Sequence, residues 1–180
     1  MKISDFIDQL NQNLPSLEQI AAKRAKLNLR SDLSELAVSL ENLKYRHSKS
    51  PNRGETLREL IEDSNIHQVG IGLLDFYSEI KVRSGDMVGL EFAKHNDFYR
   101  ISLSLQNGSI FWCNDESTDV EILAANFDQF LSFLLLYHRY FMHVIYNVSY
   151  LPEKHRSELR HLVEDGLSIV LIQQLMPPSS

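Results

Sequence analysis

Apolar residues in the first third of the chain recur three and four positions apart, the spacing of one helical face. Ser4 or Asp5 can open a first helix carrying Phe6, Ile7 and Leu10, which ends near Asn13. Pro15 suits the first turn of a second helix, where no backbone N–H is needed; Leu17, Ile20, Ala21 and Ala25 then share one side. A break is expected at Arg30-Ser31-Asp32, because Asp32 and Glu35 have the spacing of a capping box. Leu29, Leu33, Leu36, Leu40 and Leu43 recur at alternating intervals of four and three. That seam covers about two heptads, short of the ~3–4 that sustain a coiled coil. It predicts a helix packed on its own domain, with a helix hairpin or a self-association surface as the alternatives.

Residues 44–54 combine Ser, Pro, Asn and Gly with five Lys, Arg or His residues and read as a solvated linker. Residues 55–63 follow as a short helix with Leu57, Leu60 and Ile61 on one face. Gly70-Ile71-Gly72 marks a turn into a further helix carrying Leu74, Phe76, Tyr77 and Ile80, which Arg83-Ser84-Gly85-Asp86 ends. From Met87 the period falls to two, and residues 87–92, 98–105 and 109–113 predict strands. Asn107-Gly108 lies between the last two, the strongest short hairpin signal, because both residues accept positive φ. Ile101, Leu103 and Leu105 alternate with Ser102 and Ser104, so that strand is expected to bury one face and wet the other.

Beyond an acidic loop at residues 114–119, a long helix is expected to bury Leu123, Phe127, Phe130, Leu131, Leu134, Phe141, Met142 and Ile145. A last helix, begun near Pro152, sends Leu159, Leu162, Val163, Val170 and Leu171 to the core before Pro177-Pro178 stops it. The fold class is therefore α+β: a small, mainly antiparallel sheet packed with helices, with extra helices at both termini. It divides into an N-terminal helical segment (1–50), an α+β core (55–136) and a C-terminal helical extension (137–176) packed on that core as one unit.

Composition fits this picture. The 180 residues are 43% hydrophobic and 23% charged, close to the globular average. A net charge of −6 argues against a general nucleic-acid binder, whose footprint is basic. The charge is unevenly placed. Residues 1–62 hold ten basic and nine acidic side chains and residues 137–180 hold four of each, whereas residues 63–136 hold four basic and eleven acidic ones. Asp115, Glu116, Asp119 and Glu121 are the densest acidic group, either a solvated loop or a docking surface for a basic partner. Asp5 and Asp8 interrupt the stretch where a signal peptide would be apolar. Residues 127–148 are the most apolar stretch, yet Asp128, Ser132, Arg139 and His143 mark a core helix rather than a membrane span. The lone Cys113 excludes an internal disulfide or a multi-thiolate zinc site and fits a cytoplasmic setting.

No nucleophile elbow, phosphate-cradling glycine loop or two-histidine zinc helix is present. His138 and His143 are five apart and His155 and His161 six apart, so neither pair shares a helical face as metal ligands would. No metal or cofactor is expected. Acid–base catalysis needs two carboxylates in unequal environments, which a polar run of acids does not provide. A non-enzyme is therefore expected, unless His95 and Tyr99 line a deep pocket with buried carboxylates. Trp112 and Cys113 point to opposite faces of one strand; Cys113 reads as a small buried residue, Trp112 as core packing or as an anchor at a partner surface.

Three groups of residues carry a family resemblance. The first is residues 57–61 followed by Gly72-Leu73-Leu74-Asp75-Phe76-Tyr77. The second is Ser84-Gly85. The third is Gly108-Ser109-Ile110-Phe111, the acidic loop, and the run from Ile122 through Ala124-Ala125-Asn126-Phe127 to Phe130-Leu131. Over residues 55–136 their order resembles the SUKH superfamily, which includes bacterial immunity proteins and some fungal regulators. Leu74 stands where that family prefers proline and Asn126 where it often has serine. The resemblance implies a non-enzymatic binding module that blocks a basic toxin domain or another basic protein. Its contacts would be Asp115, Glu116, Asp119 and Glu121, with Trp112 and Glu91 as further contacts; nucleic acid and membrane are not expected partners. The other reading is a regulatory or assembly protein that oligomerises through its terminal helices; a monomer or a homodimer fits these readings.

Overall fold

A computed structural model describes residues 1–29, 32–48, 56–84, 87–114 and 120–176. The chain begins with α1 (Ile3–Gln12), which buries Ile3, Phe6, Ile7 and Leu10 as the spacing predicts. α2 (Leu17–Lys26) starts one turn beyond Asn13: Ser16 Oγ accepts from Gln19 N–H at 3.2 Å, and Ser16 N–H donates to Gln19 Oε1 at 2.8 Å. Of the expected apolar side of α2 only Ile20 is buried; Leu17 and Ala25 face solvent. Asn28, at φ 57°, turns the chain back, and Asp32 caps α3 (Leu33–Leu43) by accepting from Glu35 N–H at 2.8 Å. Part of the expected break, residues 30–31, lies outside the described residues.

The leucine seam does not pack on the domain along its length. Leu33 is 78% exposed, Leu29 is exposed too, and only Leu36 is buried. α3 instead folds back on α2 as a helix hairpin, tied by an Arg24–Glu35 ion pair at 2.8 Å. The apolar residues α2 supplies there are mostly alanines, too small to cover a row of leucines.

The start of the expected linker is firmly held. Tyr45 is buried; it exchanges two hydrogen bonds of 2.9 Å with the Asn11 side chain and donates its hydroxyl to Gly70 O at 2.8 Å. The Asn65 side chain bonds to Arg46 N–H and Lys44 O. Residues 49–55 lie outside the described residues. α4 (Thr56–Glu62) buries Leu57, Leu60 and Ile61, as expected, and α5 (Ile66–Val69) follows.

A strand, β1 (Leu74–Arg83), stands where a helix through Leu74, Phe76, Tyr77 and Ile80 was expected. The cause is an irregularity in its pairing with β2 (Gly89–His95): five steps along β1, from Phe76 to Lys81, match two along β2, from Ala93 to Glu91. The extra residues put Phe76 and Ile80 four apart, a spacing that imitates a helix. β3 (Tyr99–Ser104), β4 (Ile110–Asn114) and β5 (Val120–Ala124) complete an antiparallel meander in the order β1-β2-β3-β4-β5. The β3–β4 hairpin is where Asn-Gly places it, but its turn is longer than two residues. Ser104 N–H bonds Ser109 O, Gly108 alone takes positive φ, and the Asn107 side chain accepts from Ser109 N–H.

Both faces of β3 are covered, so the expected wet face is a further correction: Ser102 and Ser104 are buried with Ile101. On that second face Phe111, opposite Ser102, lies over Gly89, where an added Cβ would come within 2.9 Å of its ring. Gly89 is thus needed for close approach rather than for an unusual φ.

The helix expected from Leu123 begins later. Residues 120–124 pair with β4, and Asn126 caps α6 (Phe127–Tyr146) by accepting from Gln129 N–H at 2.9 Å. α6 is buried on most sides in its middle, from Phe133 through His138, which is why an amphipathic stripe describes it poorly. Phe141 and Ile145, placed on that stripe, are only half-buried. No described helix is long and apolar enough to cross a membrane. The single last helix is two helices, α7 (Pro152–Glu164) and α8 (Ile169–Leu175), because Gly166 (φ 101°) ends the first and Ser168 caps the second. Val170 is accordingly exposed, while Leu167, Leu171 and Leu175 are buried. One apolar cluster runs from Ile3 to Met176, centred on Phe92 between Phe76, Phe127 and Phe130.

Candidate functional site

Of the acidic group singled out in the sequence, Glu121 lies on β5, next to the segment that joins it to β4. Residues 115–119, with Asp115, Glu116 and Asp119, join these strands and lie outside the described residues. Their flanks are set in the sheet: Asn114 is opposite Tyr99 and Val120 is opposite Cys113.

Glu121 and Trp112 are opposite one another and in contact. Trp112 is only 4% exposed, stacks on Tyr99 at 4.6 Å between ring centroids, and donates its Nε1–H to Glu121 Oε2 at 3.3 Å. The other carboxylate oxygen of Glu121 accepts from Ser168 Oγ at 2.6 Å. This carboxylate therefore fastens β5 to β4 and to the start of α8. Trp112 presents almost no surface to a partner; its side chain belongs to the core. Cys113 is buried beside it, its thiol 3.8 Å from Arg100 O.

Glu91 sits on the other face of the sheet from Trp112 and Glu121, the face of Ser102 and Phe111, across from Lys81 and Ser102. It hydrogen-bonds Tyr77, whose hydroxyl also accepts from Arg100 Nη1 at 3.1 Å, while Lys81 Nζ lies 4.3 Å from the centre of the Tyr77 ring. Burial, with a further contribution from the Glu91 carboxylate, pushes the Tyr77 phenol up to about 12. Glu91 is thus engaged in a polar network, and the structure does not bring it together with Glu121.

No family model, curated protein or solved structure matches this chain.

Two residues at the corner were not singled out from the sequence. Val120 and Ile122 lie on the face of β5 opposite to Glu121 and both are exposed, Ile122 by 49%. Their signal is present: Val120-Glu121-Ile122 alternates with period two, but Leu123 joins smoothly to the helical pattern after it. An exposed apolar pair next to a run of acids has the composition of a contact patch with a charged rim. His95, by contrast, is packed away, with Nδ1 3.3 Å from Leu73 O and Nε2 3.2 Å from Asn96 Nδ2. Among the described residues no three His, Cys, Asp or Glu side chains come together as a metal site.

A concavity of about 1000 Å³ lies between α2, the end of α6 and α7. Lys23 and Lys26 line one side, Tyr150 and Arg156 the other, with Tyr140 and His143 from α6.

Proposed function

We propose that the protein is a non-enzymatic binding module of the immunity type, which captures a basic protein at the β4–β5 corner and blocks it. The supporting observation is the exposure of Val120 and Ile122 on the strand that leads directly out of the acidic run. In this reading Val120 and Ile122 supply apolar contact, while Asp115, Glu116 and Asp119 steer and orient a cationic partner. Glu121 and Trp112 act behind them by holding β5 in place. The resemblance of residues 55–136 to the SUKH superfamily supports the same reading, and a reducing cytoplasm is where such a protein would meet its toxin.

The test expresses a panel of basic toxin domains in cells with and without this chain. The wild-type chain should protect; Asp115→Lys with Glu116→Lys, or Ile122→Asp alone, should abolish protection while the thermal midpoint stays unchanged. Full protection by both variants would sink the corner as the docking site, and failure of the wild type would sink the immunity reading.

A regulatory or assembly role has its own support. Leu27, Leu29, Leu33 and Val38 are exposed on the α2–α3 hairpin, apolar surface that a second copy would cover. Light scattering separates the two readings: a concentration-independent monomer removes this one.

A further inference from the structure

The cleft beside α6 is lined by more cationic than anionic side chains. Its charged lining is Lys23, Lys26 and Arg156 against the single acid Glu18, in a chain whose net charge is −6. Lys23 and Lys26 are three apart and share one face of α2. Neither forms an ion pair among the described residues, whereas Arg156 is paired with Glu153. Two ammonium groups on one wall of a concavity attract an anion more strongly than they would on an open surface, because low-dielectric walls concentrate the field.

The facing wall and floor are aromatic. Tyr150 stacks on His143 with centroids 4.7 Å apart and planes 16° from parallel, and it meets Tyr140 at 6.2 Å and His155 at 5.0 Å. His155 is 3% exposed, and burial with the nearby Arg139 charge holds it down to about 4, so it adds ring surface and no charge at neutral pH. The walls are also fixed before anything binds. Gln19 Nε2 donates to Asn147 O at 2.8 Å, which ties α2 to the end of α6, and His143 Nδ1 lies 3.0 Å from Val148 O. Such preorganisation removes part of the ordering cost of binding. The volume of about 1000 Å³ is at the upper end of the ~300–1,000 Å³ of small-molecule sites.

We propose that this cleft binds a small ligand in which a planar aromatic ring carries an anionic group: the ring lies against Tyr150 and Tyr140, and the anion meets Lys23 and Lys26. Phosphate and carboxylate satisfy this chemistry equally, so the test has an arm for each. Calorimetric titrations of the full chain use adenosine 5′-monophosphate and indole-3-acetate, with adenosine and inorganic phosphate as the ring-only and anion-only controls.

At least one of the two aromatic anions should saturate with a Kd below about 1 mM, and both controls should bind at least about tenfold more weakly. Lys23→Glu with Lys26→Glu should weaken binding by at least about tenfold, as should Tyr150→Ala. The two lysines sit on the surface of α2, so their variant keeps the fold, which circular dichroism verifies. Absence of saturable binding by both aromatic anions up to ~5 mM overturns the proposal, and so does affinity that survives the lysine reversals. This site is remote in sequence and composition from the β4–β5 corner, and neither result bears on protein capture there.

Discussion

The hydroxyl of Tyr137 accepts a hydrogen bond of 2.7 Å from the backbone N–H of Leu73, and its ring fills the space where a Cβ on Gly72 would stand. Tyr137 is fully buried on α6, and Gly72, at φ 61°, lies in the tight turn that launches β1. The first strand is thereby registered on the central helix by one aromatic side chain.

Tyr137→Phe should lower stability by about 0.5–1.5 kcal/mol, since the Leu73 N–H loses the acceptor of a part-buried bond while the packing is kept. Gly72→Ala should cost more, because it adds a left-handed backbone penalty to overlap with a ring that has no room to move. Urea unfolding of both variants gives the comparison; a neutral Gly72→Ala would show that the turn can relax.

Stability should fall in mild acid. His138 is fully buried, 5.4 Å from the ring of Tyr45 between centroids, and neither of its ring nitrogens has a hydrogen-bond partner among the described residues. Burial lowers its pKa from 6.5 to about 4. The folded protein keeps this histidine neutral while the unfolded chain protonates it below about pH 6.5, so its contribution is complete above that pH and declines as pH falls toward 4. The full shift corresponds to about 3 kcal/mol. His155 acts in the same direction. Urea midpoints measured between pH 7 and 4.5 should drop, and His138→Phe should make the drop shallower. An equal slope in the variant would assign the acid sensitivity to other groups.

Glu121 and Ser168 should be energetically coupled. Ser168 caps α8 through Val170 N–H and also donates to Glu121 at 2.6 Å. Ser168→Ala should cost about 1–2 kcal/mol through the cap and the lost bond. A double-mutant cycle with Glu121→Ala should return a coupling of about 0.5–3 kcal/mol, whereas additive costs would mean that the two groups act separately.

Substitutions along the α3 seam should divide by burial. Leu36→Ala should destabilise by about 2–3 kcal/mol, and Leu33→Ala should stay within about 0.5 kcal/mol in a monomer. A large cost at Leu33 that grows with protein concentration would place a second copy over the hairpin.

Local chemistry made much of this fold legible. α1, α4 and the β3–β4 hairpin follow from short-range spacing and turn residues, and α3 follows from Asp32 and Glu35. Reading failed where pairing between distant residues overrides local period. The irregularity in β1 gives Phe76 and Ile80 a helical spacing, and β5 is a strand because β4 lies beside it, although Leu123 continues into the pattern of α6. Ser102 and Ser104 look solvent-facing in one strand, yet both are buried on the face they share with the neighbouring Phe111 of β4. At the corner, the acids are visible in composition, but the inward role of Glu121 depends on Ser168, 47 residues away.

The bond from Ser168 N–H to Leu123 O, 2.8 Å long, meets the last strand on the side away from β4. An open meander leaves its outermost strands as templates for foreign chains, and unpaired carbonyls are what such templates offer. Here the segment entering α8 occupies one of them, and it is synthesised after the whole sheet. Until it docks, the newly made chain has an uncovered margin, so a version cut short before Ser168 should be lost to aggregation even though every strand is present.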